Sequence, residues 1–222
     1  MLTLSLNASS LSKSKKILLK KIYYDNQITF YCSNPYEMKR VKNKEKALII
    51  QDNKFYTPRR PYFKSGKEND RAKRIEWEHV MPAHNFGKHL PCWNKGGRKA
   101  CRKDNTFRVM ESDMHNLVPS IGEVNGDRSN YRFASYYPKI GQYGNCKFEV
   151  NFKTKRAYPK KEIRGDIARI YFYMSDRYNI RLSKQERRVM EVWNKQDPVD
   201  NWERIKNKRV LKLQGDINKF IK

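Results

Sequence analysis

The chain has 222 residues, enough for one large domain or two small ones around a buried core. Hydrophobic residues at 38% and aromatics at 13% exclude a disordered chain, so the polar character reflects charge and not the lack of a core. Lys and Arg number 49 against 23 Asp and Glu, and the net charge of +26 attracts polyanions: nucleic acid first, acidic membrane surfaces or anionic polysaccharide second. Lysine-rich usage accounts for part of that excess.

No apolar run is long enough to span a bilayer, so membrane insertion is not expected. Residues 1–8 lack a basic start, yet their apolar and small residues ending at Ala8 read like the tail of a signal peptide. Ser9 or Ser10 can cap a helix through Lys15–Tyr24, with Leu11, Leu18, Leu19 and Ile22 as a broken apolar face and lysines opposite. Thr29–Cys32 has strand character, and Ala47–Ile50 and Lys54–Tyr56 read as short strands. Pro58, Pro61 and the run from Lys64 to Arg71 read as exposed loop.

Ile75–Val80 alternates as a strand, Pro82–Phe86 as a short helix ended by Gly87. Phe107, Met110 and Met114 align on a helix over Asn105–Met114, Asn116–Pro119 is extended, and Ser120 can cap a helix through Ile121–Asn130. The order is strand, long excursion, strand, helix. Cys146, Phe148, Val150 and Phe152 alternate along a strand over Asn145–Phe152. Three helices follow: one opened by Pro159, one by a Ser183–Glu186 capping box, and one by Asp197-Pro198 that ends at Gly215. No internal repeat or linker divides the chain, so residues 9–222 read as a single α+β domain with a helical C-terminal third.

The four cysteines include no C-x-x-C pair of the kind that marks zinc sites. Cys92 and Cys101 flank a short Gly-rich loop that a disulfide can close, which leaves Cys32 and Cys146 for a long-range bridge; four reduced cysteines are the alternative. A zinc site from His79, His84, Cys92 and Cys101 has no known ligand pattern.

Acids, histidines, amides and arginines concentrate between Arg74 and Asn130. Phosphodiester hydrolysis needs a base for water, positive charge on the developing oxyanion and a Lewis acid at the leaving oxygen. Mg²⁺ takes oxygen ligands and keeps several waters, so one carboxylate and one amide suffice. Glu78 and His79 can supply ligand and base, given a bend near Met81-Pro82, because strand neighbours face opposite ways. Asn125 can complete the metal shell, and Arg98 and Arg128 can hold phosphate. Taken alone, His79 reads better as a core histidine, and the lysine runs as a solvated face.

Four blocks, Glu76–Ala83, Cys92-Trp93 with Gly96–Lys99, Met110–Leu117 and Gly122–Asn130, resemble the bacterial endonuclease I family of periplasmic or secreted nonspecific nucleases. The resemblance implies a ββα-metal (His-Me finger) core at about residues 74–130. It implies Glu78 and an Asn as Mg²⁺ ligands, His79 as general base and Arg98 on the phosphate. The Asn is placed at Asn125, with Asn116 and Asn130 as alternatives that spacing does not separate. Arg74, Lys99 and Arg128 are expected to touch substrate. Further implications are a monomer that cuts double- and single-stranded DNA, and RNA in some members, to 5′-phosphate ends, with Mn²⁺ or Ca²⁺ able to replace Mg²⁺ in binding. The resemblance also carries the Cys92–Cys101 bridge, although this chain has fewer cysteines than the family commonly does. A basic nucleic-acid-binding protein without catalysis is the competing reading.

Overall fold

The computed structural model describes residues 10–52, 54–136 and 141–222, so the leader expected over residues 1–8 lies outside the described residues. Helix α1 (Leu11–Ile17) starts where the Ser10 side chain accepts from Lys13 N at 3.2 Å. It runs on through a π turn, Leu18–Ile22, that buries Leu18 and Ile22. Thr29–Cys32 is not the expected strand. Its backbone closes a tight loop, with Ser33 N donating to Thr29 O at 2.9 Å and Asn34 N to Thr29 Oγ1 at 2.9 Å. Strands β1 (Tyr36–Val41) and β2 (Lys44–Ile49) form an antiparallel hairpin of which only the end was expected. Its turn sets Lys42 and Asn43 at positive φ, a geometry more often signalled by Asn-Gly. Lys54–Tyr56 is turn and loop, not a strand.

Strand β3 (Ile75–His79) pairs antiparallel with β4 (Leu117–Ile121), with His79 opposite Leu117 and Ile75 opposite Ile121. The excursion between them is helical: α2 (Ala83–Gly87), α3 (Pro91–Asn94), α4 (Gly97–Cys101) and α5 (Asn105–Ser112), the last capped by Asp104. The expected Gly-rich loop is therefore two short helices closed by the Cys92–Cys101 bond. All five β4 residues are buried, and the chain passes directly into α6 (Gly122–Arg128). Ser120 is not its cap: it sits inside β4 with Oγ donating to Ile121 O at 3.3 Å.

Strands β5 (Arg132–Phe133), β6 (Glu149–Asn151) and β7 (Arg156–Tyr158) make a small sheet in the order β5-β7-β6. The expected strand over Asn145–Phe152 pairs only along β6, because Cys146 is bonded to Cys32 and Phe148 N turns back to Cys146 O at 2.8 Å. Helix α7 (Arg164–Tyr178) starts after a 3₁₀ turn and not at Pro159. Ser183 caps α8 (Lys184–Gln196), while the reciprocal capping box belongs to Asp200 and Glu203 at the head of α9 (Asn201–Gln214), which Gly215 ends at φ 89°. Asp197 does not open that helix; its carboxylate accepts from Gly165 N at 2.8 Å.

The main core joins Val80, Phe86, Phe107, Val118 and Val124 to Ile167, Tyr171, Met174 and Trp193. Truncating the fully buried Trp193 to Ala would cost about 3–5 kcal/mol. A smaller cluster of Leu18, Ile22, Met114, Leu117 and Val210 packs α1 and α9 against the start of β4. The result is a mixed α+β fold in which both clusters pack against β4.

Candidate active site

Glu78 and His79 end β3, and both are buried. Glu78 Oε1 accepts from Tyr31 Oη–H at 2.9 Å and faces Arg128 Nη1 at 3.0 Å, while Oε2 is engaged by neither. Burial pushes the Glu78 carboxyl up to about 7, against the pull of Arg128 and Tyr31. His79 Nε2 lies 2.8 Å from the Glu111 backbone carbonyl, which only accepts, so Nε2 carries the proton and Nδ1 holds the lone pair. Burial pushes the imidazole down to about 3; the Glu111 bond opposes this, and Arg98, Lys15 and Arg128 reinforce it. The ring is neutral at pH 7.

The strand's exit is pinned by Asn116, whose amide accepts from Met81 N at 2.7 Å and donates to Met81 O at 3.0 Å. Each face of α6 has its own task. Val124 enters the core, and Glu123 and Asp127 hold the segment carrying Arg59 and Arg60. Asn125 Nδ2 donates to Glu76 Oε2 at 3.0 Å. Glu76 also takes Arg71, at 3.0 and 2.6 Å, and Arg74 at 2.8 Å. Burial pushes its carboxyl up, but the two guanidiniums outweigh this and leave it below its ordinary value. Gly126 admits this arrangement, since a Cβ there would overlap the Arg71 guanidinium.

Arg98 reaches the site from α4, with Nε donating to Glu111 Oε1 at 2.7 Å and 43% of its side chain exposed. Glu111 therefore orients the imidazole through its backbone and the guanidinium through its carboxylate. Lys99 is exposed beside Arg98, and Arg74 is exposed at the Glu76 cluster. Lys15 is half-buried; burial lowers its pKa, and its field together with those of Arg98 and Glu111 places it beside the site.

One expected substrate contact is corrected. Arg128 has no exposed surface; its Nη1 donates to His79 O at 3.0 Å, its Nη2 to Val80 O at 2.6 Å, and its guanidinium lies over Phe133 at 4.4 Å. A guanidinium sealed in this way braces the strand end and cannot meet a phosphate. The alternative zinc site fails as well, since Cys92 and Cys101 are bonded to each other, and Cys32 to Cys146, with no free cysteine among the described residues. Tyr31 and Lys15 escaped the sequence reading of the site. Only Tyr31 carried a signal, its position next to a bridged cysteine.

Among the described residues no group of three or more His, Cys, Asp or Glu could hold a metal. The available donors are oxygens: Glu78 Oε2, and the Asn125 amide oxygen, which accepts no hydrogen bond from the described residues while its nitrogen is held by Glu76. A hard divalent ion that keeps several waters fits that sparse set.

A buried carboxylate, an oriented neutral imidazole and a half-exposed arginine in a strongly basic chain make up the equipment of a phosphodiester hydrolase. Comparison with known proteins specifies the class. The chain matches the family model described as Endonuclease I over residues 9–222, and it belongs to that family. It is 46% identical over 205 residues to an extracellular deoxyribonuclease of Aeromonas hydrophila, spanning 91% of this chain and 84% of that one. A periplasmic deoxyribonuclease of the same organism is 47% identical over 91% of this chain and 81% of its own. More distantly, an extracellular ribonuclease of Bacillus amyloliquefaciens is 32% identical over 50% of this chain and 43% of its own. The protein is a nuclease, periplasmic or secreted, stapled by two disulfides. Among the described residues no helix is long and apolar enough to cross a membrane.

Proposed function

We propose that the protein is a monomeric, divalent-metal-dependent endonuclease that cuts single- and double-stranded DNA with little sequence preference, leaving 5′-phosphate ends. In this reading RNA is a further substrate, β3, β4 and α6 form a ββα-metal (His-Me finger) unit, and residues 9–222 act as one domain. The observation that carries it is the bond from His79 Nε2 to the Glu111 carbonyl, which leaves Nδ1 as a proton acceptor.

His79 Nδ1 takes a proton from water as the water oxygen attacks phosphorus, and the bond from phosphorus to the 3′-oxygen breaks. The leaving oxygen is then protonated from solvent, and the imidazolium returns its proton to bulk. Burial, reinforced by surrounding cations, keeps the imidazole neutral before substrate arrives, and the phosphodiester's negative charge raises its basicity. Arg98 stabilises the developing oxyanion with guanidinium hydrogens that Glu111 does not occupy. Glu78 and Asn125 hold the metal; the engagement of both ends of the Asn116 amide by Met81 favours Asn125 over that alternative. Mg²⁺ fits this site, with Mn²⁺ or Ca²⁺ replacing it in binding, and would supply positive charge to the phosphate and leaving oxygen. Arg74 and Lys99 contact flanking phosphates.

A basic binding protein without catalysis would have no use for a buried, oriented imidazole beside a buried carboxylate. Plasmid incubated with the protein and Mg²⁺ should be nicked and linearised, and EDTA should stop this. His79→Ala should lower the cleavage rate by about 10²–10⁴-fold while DNA binding persists. Intact plasmid at low salt with Mg²⁺ would sink the enzymatic reading.

A further inference from the structure

A cavity of about 320 Å³ opens beyond the end of β3 and has no part in the chemistry above. Its floor includes buried Met81, Ile180 and Leu182. Its rim carries His84, Lys88, His89, Arg132, Arg156 and Arg181, and Glu186 is the one acid lining it. Among the described residues none of those six makes an ion pair. The arginines near the catalytic strand are, by contrast, committed: Arg71 and Arg74 to Glu76, Arg98 to Glu111, Arg128 to Glu78. The unpaired charges of Lys88, Arg132, Arg156 and Arg181 around a concavity repel one another and focus a field that draws in anions.

An apolar floor under a cationic rim matches the two halves of a nucleotide, a flat base and a charged phosphate. The volume sits at the low end of small-molecule pockets, about 300–1,000 Å³, and suits one nucleotide and not a duplex. Met81 is two residues beyond His79, so their Cα atoms lie at most about 7–8 Å apart. A strand lying across His79 can therefore place a neighbouring nucleotide in this cavity. A smaller cavity of about 120 Å³ shares Arg132, Arg156 and Glu186 and reaches Phe133, Val189 and Met190, which prolongs the groove.

We infer that this cavity is a subsite for one unpaired nucleotide of the substrate strand, its base on Ile180 and Leu182 and its phosphate on Arg132, Arg156 and Arg181. The inference rests on the nuclease reading for its ligand, but its test does not depend on cleavage.

In EDTA, fluorescence anisotropy of a labelled single-stranded pentadeoxynucleotide reads binding to the full chain bearing His79→Ala. Adding Arg132→Gln, Arg156→Gln and Arg181→Gln together should raise Kd by about tenfold or more, with the thermal midpoint retained as the check on folding. The control substitutes the exposed hairpin residues Lys42→Gln, Lys44→Gln and Lys46→Gln, which removes the same charge and should shift Kd by less than about threefold. A deoxynucleoside monophosphate should compete for the wild-type cavity better than equimolar inorganic phosphate. Equal weakening in both triple variants would reduce the effect to bulk charge and overturn the subsite. Unchanged binding in the arginine variant, or equal competition by phosphate, would overturn it as well. If neither DNA nor RNA is ever cleaved yet the arginine variant alone loses affinity, the catalytic reading fails and the subsite stands.

Discussion

Two arginines are sealed inside this protein, and they are treated differently. Arg169 joins α7, α8 and α9: it grips both Glu203 oxygens at 2.7 and 2.6 Å, Asn194 Oδ1 at 3.1 Å and Asp197 O at 2.8 Å. Arg128, behind the candidate site, faces one Glu78 oxygen and three backbone carbonyls, and its Nε has no hydrogen-bond partner among the described residues. A structural ion pair gains from saturating both partners. The pair under the site stops short of saturation, and the oxygen it leaves over is the one the proposed metal would take. The incomplete pairing of Glu78 with Arg128 thus holds a carboxylate in place without consuming it.

Removing one acid at a time should expose this contrast. Glu203→Gln leaves half of a buried bidentate pair and should cost about 3–5 kcal/mol in urea denaturation, while the molecules that remain folded keep their specific activity. Glu78→Gln should cost less stability, because Arg128 keeps its three carbonyls and the new amide oxygen still accepts. It should nevertheless lower the cleavage rate at least about 100-fold. Equal stability losses in the two variants, or an active Glu78→Gln, would remove the distinction.

That distinction could not be read from the sequence. Arg128 follows Asp127 in a chain full of exposed cations, so composition favoured a substrate contact; only the packing of Phe133 and the β3 carbonyls buries it. The orienter of His79 is a backbone oxygen 32 residues away, and a backbone atom leaves no trace in side-chain identity. Legible in advance were the strand–excursion–strand–helix order around residues 75–128, through hydrophobic alternation and punctuation by Pro and Gly, and both disulfides. Thr29–Cys32 misled because β-branched and aromatic residues also suit a loop pinned by a cross-link, and the β1–β2 hairpin lacked its usual turn signal.

Tyr31→Phe probes the same carboxylate from its other donor, with a smaller effect. The ring stays stacked on Phe148 at 4.3 Å, so the loss is one hydrogen bond to a buried group, about 1.5–3 kcal/mol at most. Glu78 is pushed from its ordinary 4.5 up to about 7, so its protonated form favours the fold. That contribution is full below 4.5 and is lost as pH rises to about 7. His79, pushed from 6.5 down to about 3, acts oppositely: it opposes folding at low pH, and stability recovers as pH rises from about 3 to 6.5. Without the tyrosine hydroxyl, Glu78 titrates still higher, and Mg²⁺ must displace a proton at neutral pH. Calorimetric Mg²⁺ titration should find affinity about tenfold weaker at pH 7, recovering near about pH 8.5. Wild-type affinity across that range would mean that Tyr31 does not tune Glu78.

The smallest effect is expected at Gly126, where stability and activity should move apart. A Cβ there meets Arg71 Cζ at 2.8 Å and Nη2 at 2.9 Å, the far end of a flexible side chain that can swing aside. Replacing a helical glycine by alanine favours the helix by up to about 1 kcal/mol, so Gly126→Ala should leave the melting midpoint level or slightly raised. The displaced guanidinium gives up the Glu76 oxygen that also holds the Asn125 amide, with Arg71 at 2.6 Å and Asn125 at 3.0 Å on Oε2. Asn125 then loses the anchor that fixes which end of its amide faces a metal. Cleavage should fall about threefold to tenfold at limiting Mg²⁺ and recover at saturating Mg²⁺, the pattern of a loosened ligand and not of a damaged base. A loss independent of Mg²⁺ concentration would place Gly126 in substrate contact instead, and would detach Arg71 and Glu76 from the metal site.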